Sequence, residues 1–150
     1  MERLIRPMTV ADVAACLTLW RQTEGLVVRL DSDNEIAVTR FLKRNPGLNF
    51  VVKSDGELVG NALCGCDGRR GYLYHLAVAR GFRREGCASA MLSAVFAALR
   101  KQGITRCHAF VLSSNLTAQK FWAGVNANQR QDMRVITVNV EEAALTAGTE

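Results

Sequence analysis

The sequence lacks a long hydrophobic run: no stretch approaches the roughly 18 uninterrupted apolar residues that a membrane-spanning helix needs. The first six residues carry charges where a signal peptide requires an apolar core, and Asp12 interrupts the next apolar stretch. Neither export nor membrane insertion is expected. The sequence therefore predicts a cytoplasmic protein that does not bind membranes.

Proline is also scarce, with two in 150 residues, and there is no Pro/Gly/Ser-rich linker, repeat or low-complexity tract. This length matches one domain with one core. A content of 49% hydrophobic and 22% charged residues is ordinary for globular proteins and excludes a disordered chain. We expect a single domain over residues 1–150, with a frayed tail at 143–150.

The five cysteines form an odd set without CxxC spacing, which indicates neither a disulfide framework nor a zinc site. Cys64 and Cys66 lie two residues apart in an apolar run, so on a strand both thiols would share one face. Cysteine is commonly buried in cores, and we interpret both residues as packing residues. No metal is expected.

A net charge of +5 and a pI near 9.2 favour anionic partners. The positive residues are scattered and do not alternate with aromatic residues, so a nucleic-acid surface is not expected. A phosphorylated small molecule needs only a local cluster of positive charge. Arg80, Arg83 and Arg84 form such a cluster.

Periodicity predicts an α/β fold in which a mixed, mostly antiparallel sheet packs with helices. Thr9 is a candidate cap for the first helix, whose apolar stripe includes Trp20, and residues 32–35 have capping-box spacing for the second. Asp55-Gly56 is a hairpin turn signal. The predicted helices cover 10–23, 32–44, 86–101 and 116–124, and the predicted strands 4–6, 49–53, 57–66, 72–79, 105–112 and 134–140.

A strand leads through a basic loop into a helix between Leu76 and Ala88. The N-terminus of a helix exposes unpaired N–H groups and attracts anions. Gly86 and Ala88 remove side-chain bulk at this end, and the arginines add positive charge. The stretch favours a phosphate site, although a glycine that only eases helix packing is the alternative. Neither GxxxxGK[ST] nor GxGxxG is present.

Two motifs resemble those of the GNAT acetyltransferase superfamily. Leu76-Ala77-Val78 followed by Arg83-x-x-Gly86-x-Ala88 is similar to its coenzyme A pyrophosphate signature, and residues 115–122 are similar to its helix beside the pantetheine arm. The resemblance covers nearly the whole chain. It implies the GNAT fold, with splayed central parallel strands and helices on both faces, and acetyl-CoA as co-substrate. The implied cofactor-binding residues are Leu76, Ala77, Val78, Arg83, Arg84, Glu85, Gly86, Cys87, Ala88, Asn115, Ala118 and Phe121.

Three residues depart from the pattern of many members: Arg84 and Asn126 replace glycines, and Arg80 replaces a proline. Asparagine tolerates the left-handed conformation better than most residues, so Asn126 is a mild change. The two arginines add positive charge beside a polyanionic cofactor. None of the three changes argues against cofactor binding.

The resemblance implies direct transfer of the acetyl group to an amine in a ternary complex, without an acyl-enzyme. The backbone of Val78 would polarise the thioester carbonyl, and Tyr74 or water would supply the proton to the leaving thiolate. Trp122 stands where many members have an acidic tyrosine, and an indole N–H is no proton source near neutral pH. A packing role for Trp122 is the alternative to a catalytic one.

Strand alternation places Tyr72, Tyr74 and Leu76 on one face and Leu73, His75 and Ala77 on the other. We therefore expect His75 to face away from the reacting centre as a structural residue, with a role as base as the alternative. His108 is interpreted as structural. Asp67 in a charged turn, and Trp20, Glu24 and Asp31 near the expected acceptor wall, have open roles.

Two functional hypotheses follow. The first is an N-acetyltransferase that acts on a primary amine of a small molecule or protein; the second is a non-catalytic acyl-CoA-binding module of the same fold. The sequence does not name the acceptor amine, the general base or the oligomeric state. Many GNAT members form dimers, so a homodimer is compatible with the resemblance.

Overall fold

The computed structural model describes residues 2–141; the predicted tail at 143–150 lies outside this range. Short 3-10 turns at Val10–Asp12 and Arg80–Phe82 precede α1 and α3. The elements are β1 Arg3–Pro7, α1 Val13–Gln22, α2 Glu35–Arg44, β2 Phe50–Ser54, β3 Glu57–Cys66, β4 Gly71–Val78, α3 Cys87–Lys101, β5 Cys107–Ala109 and α4 Leu116–Gly124.

The five strands form one sheet in the order of the sequence, β1-β2-β3-β4-β5. The first four pair antiparallel, whereas β5 runs parallel to β4. Only Gly71–Leu73 of β4 pairs with β5, so β4 continues for five more residues without β5 beside it. This confirms the mixed sheet with a splayed parallel pair, although β5 is shorter than the predicted strand 105–112.

Helices cover both faces of the sheet, as predicted. On one face α1 and α2 bury Trp20 and Val38 against Val51, Leu63 and Ala77 of the sheet. On the other face α3 buries Met91 and Val95 among side chains of β2, β3 and β4. The predicted α1 stripe is buried as expected: Val13, Cys16, Leu17 and Trp20. Among the helices within residues 2–141, none is long and apolar enough to cross a membrane.

Two asparagine side chains accept hydrogen bonds from the part of β3 that has no residue of β2 beside it. Because β2 begins at Phe50, opposite Ala62, it offers no backbone acceptor to the later residues of β3. Asn49 Oδ1 accepts from the N–H of Cys64 at 2.7 Å, and Asn45 Oδ1 accepts from Cys66 at 2.9 Å. Both asparagines are buried, so these bonds remove a desolvation cost and hold β3 in place.

Two predicted elements differ from the structure. The cap of α2 is Asn34, which accepts from Ala37 N at 2.9 Å, rather than Ser32. The predicted strand 134–140 is wrong, since no strand forms there. Its alternating Ile136, Val138 and Val140 are exposed. β-branched residues favour a strand only where a neighbouring strand supplies hydrogen bonds, and none lies beside this segment within residues 2–141.

The start of α1 depends on an ion pair between Arg6 and Asp12. Arg6 donates to both carboxylate oxygens of Asp12, at 2.7 and 2.8 Å. The same carboxylate accepts from the backbone N–H of Thr9 at 2.8 Å. The Arg6 guanidinium lowers the pKa of buried Asp12 from 3.8 to about 2. The pair ties β1 to α1.

We predict that Asp12→Asn destabilises the protein at pH 7 by about 2 kcal/mol. The folded-state pKa of Asp12 lies below its unfolded value. The stabilisation by the Asp12 carboxylate is therefore complete above about pH 4 and is lost as the pH falls toward about 2. Urea unfolding at several pH values measures the difference between variant and wild type. Asp31→Asn is the control, since Asp31 is exposed and its ion pair with Arg29 at 3.8 Å is weak. A difference for Asp12→Asn that persists unchanged at pH 2 would contradict the assignment.

Candidate functional site

Two backbone N–H groups of β4 point into the opening between β4 and β5. Ala79 N donates to Val59 O at 2.8 Å, which shows that the N–H of Ala79 points towards the chain of β3. N–H groups alternate in direction along a strand, so those of Leu76 and Val78 point away from β3. Because β5 pairs only as far as Leu73, no strand of the described sheet accepts them. Val78, predicted from the motif, and Leu76 are thus available donors at the open edge.

The basic loop begins directly beside this edge. Arg83 Nε donates to Val78 O at 2.9 Å, so the guanidinium lies at the end of β4. Arg84 has φ +61°, a left-handed conformation that costs an ordinary residue about 1–2 kcal/mol. This backbone explains why glycine suits that position in many GNAT members. Asn126 also has positive φ, +63°, as expected for a residue in the place of a helix-ending glycine.

The N-terminus of α3 is open. Gly86 is the N-cap with φ +85°, and no side chain caps the helix. A Cβ at Gly86 would meet no atom within 4 Å, so the surroundings of the cap residue are open. Unpaired N–H groups and the helix dipole favour an anion at such an end. An uncapped helix N-terminus thus lies where the sequence predicts a phosphate site.

An arginine far away in sequence neutralises the acidic residue of this loop. Arg3 of β1 forms an ion pair with the Glu85 carboxylate and donates to Glu85 O at 3.3 Å. The Glu85 negative charge is therefore offset beside the anion site. Sequence reasoning missed Arg3, because nothing in the local pattern connects residues that are 82 positions apart.

On the far side of the opening, Asn115 caps α4. Its Oδ1 accepts from Ala118 N at 3.0 Å, and its Nδ2 donates to Gly25 O at 3.3 Å. Phe121 and Trp122 meet edge to face at 5.3 Å and pack against the core under α3. Trp122 therefore has a packing environment, as one of the two interpretations expected.

A β-bulge changes the predicted faces of β4. Leu63 pairs with His75 and Cys64 pairs with Leu73, so Tyr74 is an extra residue on β4 and the alternation shifts there. His75 consequently lies on the same face as Tyr74, towards α1 and α2, whereas Leu73 and Leu76 pack towards α3. The predicted face is therefore right for Leu73, which lies opposite Tyr74, but wrong for Leu76, His75 and Ala77. Leu76 packs towards α3, whereas His75 and Ala77 share the face of Tyr74.

Aromatic rings lie at the narrow end of the opening. Phe110, just beyond β5, stacks on Tyr72 at 6.4 Å and on Tyr74 at 5.7 Å between ring centroids. Phe41 of α2 meets Tyr74 edge to face. Tyr74 remains 45% exposed and Phe110 48% exposed, yet partial burial raises the pKa of Tyr74. The Tyr74 hydroxyl therefore stays protonated at neutral pH.

His75 is bound to an acidic partner. Its Nε2 lies 2.9 Å from Asp33 Oδ1, and the two side chains are 10% and 7% exposed. The ring packs on Trp20 at 4.5 Å, and Trp20 Nε1 donates to Asn61 Oδ1 at 2.9 Å. Trp20 is thus a core residue rather than an exposed part of an acceptor wall. His108 lies 5.8 Å from the ring of Tyr72.

Asp67 organises the turn before β4. Its Oδ1 accepts from the N–H groups of Arg69 at 2.8 Å and Arg70 at 3.0 Å. These two bonds, Arg70 first, lower the pKa of Asp67. The turn geometry accounts for this carboxylate without an amine ligand, which supports the structural interpretation.

The cysteine thiols lie in or against the core. Cys64 and Cys66 pack on the same face, as predicted. The neighbouring Cys107 thiol and burial both raise the pKa of Cys64, while the bond to Cys64 lowers that of Cys107. Within residues 2–141 no group of three or more His, Cys, Asp and Glu side chains is arranged to hold a metal ion.

The motif residues belong to two parts of the fold. β4 and the loop to α3 supply Leu76, Val78, Arg83 and Gly86, and α4 supplies Asn115 and Trp122. Tyr74 and Trp122 lie in different packing groups, since Tyr74 contacts Phe41 and Phe110 whereas Trp122 contacts Phe121. The two candidate catalytic side chains therefore have different surroundings.

Solved structures of acetyltransferases share this architecture. The structure of AAC(6')-Iy in complex with a bisubstrate analogue aligns with a TM-score of 0.73 at 20% identity, over 93% of this chain and 98% of that one. Diaminobutyrate acetyltransferase from Paenibacillus lautus, in complex with its substrate and coenzyme A, gives 0.70 at 21% identity, over 83% and 74%. At these identities the likeness shows the fold.

Sequence comparison identifies the family. An acetyltransferase of Pectobacterium atrosepticum is 34% identical over 111 residues, which cover 74% of this chain and 77% of that protein. An acetyltransferase of Yersinia enterocolitica is 31% identical over 111 residues, with the same shares of the two chains covered. The profile of the acetyltransferase (GNAT) family matches residues 14–125. The chain belongs to the acetyltransferase (GNAT) family.

Proposed function

We propose that this protein is an N-acetyltransferase that transfers an acetyl group from acetyl-CoA to a primary amine by direct attack in a ternary complex. The observation that carries the proposal is the pair of backbone donor groups in one segment, the N–H groups of Leu76 and Val78 on the open edge of β4 and the uncapped N-terminus of α3. The acceptor is an amine of a small molecule or of a protein.

The loop before α3 suits the pyrophosphate of coenzyme A. The free space at Gly86 gives an anion access to the N–H groups of the first turn, and Arg83 and Arg84 supply positive charge. The ion pair between Arg3 and Glu85 keeps the one acidic side chain of the loop from repelling phosphate. Asn115, Ala118 and Phe121 belong to the α4 side of the same cofactor site.

Acetyl-CoA supplies the acetyl group as an activated thioester. The chain contributes donors for the carbonyl oxygen, and the N–H groups of Val78 and Leu76 face the position where negative charge develops during attack. One such preorganised donor is commonly worth about 3–4 kcal/mol in an oxyanion site. No side-chain nucleophile is required.

Proton transfer is assigned to a side chain on the face of β4 that packs towards α1 and α2. The Tyr74 hydroxyl is partly exposed at the opening, and we assign it as the proton donor for the leaving thiolate. The indole of Trp122 donates only a hydrogen bond. The attacking amine, mostly protonated at pH 7, must lose a proton to water or to a side chain near Tyr74.

A screen of amines with acetyl-CoA, followed by thiol release, tests the proposed function. The panel includes arylalkylamines, because ammonium groups and aromatic bodies bind well to exposed rings such as Tyr74 and Phe110. It also includes polyamines and peptides with free N-termini. Cofactor binding without turnover across this panel would favour the alternative, a non-catalytic acyl-CoA-binding module. The packing of Trp122 against Phe121 is the observation that favours testing this alternative.

Gly86→Val is predicted to raise the dissociation constant of acetyl-CoA at least about tenfold, a loss of about 1.4 kcal/mol. The new side chain would fill the space before the helix N-terminus. Isothermal titration calorimetry measures the effect. Gly103→Val is the matched control, because Gly103 has a similar φ of +77° and equally open surroundings at the other end of α3. Equal affinities in two folded variants would contradict the assignment.

Tyr74→Phe is predicted to lower kcat by about 10²-fold, the usual lower bound for a general acid, while Trp122→Phe keeps most of kcat. The reason is that only the first change removes a titratable hydroxyl at the opening. Steady-state kinetics on an amine found in the screen gives both values.

His75→Gln is measured beside these variants, with unfolding curves to separate lost stability from lost catalysis. The opposite pattern would overturn the role of Tyr74: full kcat in Tyr74→Phe together with a well-folded, inactive His75→Gln. That result would make the histidine the base.

A further inference from the structure

Residues 23–34, which link α1 to α2 and which we call the strap, connect to both sides of the opening. Near one end the strap meets Asn115 at the start of α4, and near the other end it meets His75 in the middle of β4. Leu26 and Val28 pack against the core beneath α1, whereas Val27 and Leu30 are exposed. Few apolar contacts therefore hold this segment.

The first tether is the contact between Gly25 and Asn115. Gly25 O accepts from Asn115 Nδ2 at 3.3 Å, and the other end of that amide accepts from Ala118 N, which fixes its orientation. Gly25 has φ +79°, and a Cβ there would lie 2.4 Å from Asn115 Nδ2. Only glycine permits this approach, so the strap is docked directly on the cap of α4.

The second tether is the buried pair of Asp33 and His75. Asp33 Oδ1 lies 2.9 Å from His75 Nε2, while Oδ2 accepts from the backbone N–H of Arg29 at 2.9 Å. One carboxylate thus joins the middle of the strap, the start of α2 and the central strand. Breaking a buried hydrogen bond is costly, because it leaves a polar group without a partner.

A third contact is weak by comparison. Arg80 Nη2 and Glu24 Oε1 lie 3.3 Å apart, but the two side chains are 80% and 84% exposed. Exposed ion pairs contribute little to stability and are screened by salt. This pair therefore provides a control for the two tethers.

We propose that Gly25 with Asn115, and Asp33 with His75, are positioning pairs that hold the strap beside the opening and so fix the surface against which the acceptor amine binds. The proposal rests on the proposed function for its acceptor. These residues act through the strap and not on the reacting atoms. Loosening either tether raises the KM for the acceptor and changes kcat and the affinity for acetyl-CoA much less.

Limited trypsin digestion of the full-length protein tests the tethers without any activity. The Arg29 side chain is 71% exposed, and cleavage after it reports local opening of the strap. We expect this cleavage, followed by mass spectrometry, to be about tenfold faster in Gly25→Ala and Asp33→Ala than in wild type. Asp33→Asn retains an acceptor oxygen for His75, so it should restore part of the protection.

Gly47→Ala and Glu24→Gln are the controls. Gly47 has φ +78° with no atom within 4 Å of a Cβ, so its substitution imposes the same backbone strain as at Gly25 without the clash. Both control variants should be cleaved after Arg29 at the wild-type rate. Equal cleavage rates in Gly25→Ala and Gly47→Ala would overturn the first tether, and a wild-type rate in Asp33→Ala would overturn the second.

Kinetics on the same variants tests the positioning role. The acceptor KM should rise about tenfold or more in Gly25→Ala and Asp33→Ala, with the dissociation constant of acetyl-CoA within about twofold of wild type. Faster cleavage with an unchanged KM would overturn the positioning role while leaving the tethers. Absence of turnover by the wild type with every amine would overturn the proposed function and the positioning role together, whereas the tethers are decided by digestion alone.

Discussion

The short pairing of β4 with β5 is the constraint on which the rest of the site depends. Three residues of β4 pair with β5, and the five that follow have only β3 beside them in the described sheet. Backbone N–H groups need hydrogen-bond partners. At an open strand edge a ligand can accept these bonds without breaking any bond within the protein. The uncapped N-terminus of α3 extends the same property, and Arg83 links the two by its bond to Val78 O.

An open edge is useful only if the strand that bears it is held firmly. β3 provides that support, because it is buried from Val59 to Gly65 between helices on both faces. Asn45 and Asn49 accept from its N–H groups where β2 no longer does, and Asn61 receives the indole N–H of Trp20 from α1. Polar side chains inside the core thus fix the register of β3, and β3 in turn fixes the direction of the N–H groups of Leu76 and Val78.

The parts predicted correctly from the sequence are those whose signals are local. The span of α4 and the hairpin turn at Asp55-Gly56 depend on periodicity, caps and turn residues within a few positions. The uncapped start of α3 was predicted from a motif that lies within about a dozen residues of sequence. The strand at 134–140 and the far end of β5 failed for one reason: a strand exists only with a partner, and the local sequence does not contain the partner.

The site residues that sequence reasoning missed have the same origin. The bulge at Tyr74 arises from pairing with β3, so alternation within β4 alone could not reveal that Tyr74 and His75 share a face. Arg3 and Asp33 reach Glu85 and His75 across 82 and 42 positions of sequence, without a motif that joins them. Tertiary contacts, rather than local pattern, place these charges.

A site whose donors belong to the backbone tolerates changes among its side chains. The N–H groups of Leu76 and Val78 would keep their positions after any substitution that preserves the strand. A tryptophan at position 122, in place of an acidic tyrosine, would therefore leave these donors unchanged. The side chains are then free to determine which amine enters. Under the proposed function, that selection would fall to the rings of Tyr72, Tyr74 and Phe110 and to the strap. The acetyl donor would then depend largely on main-chain donors, and the choice of acceptor on side chains.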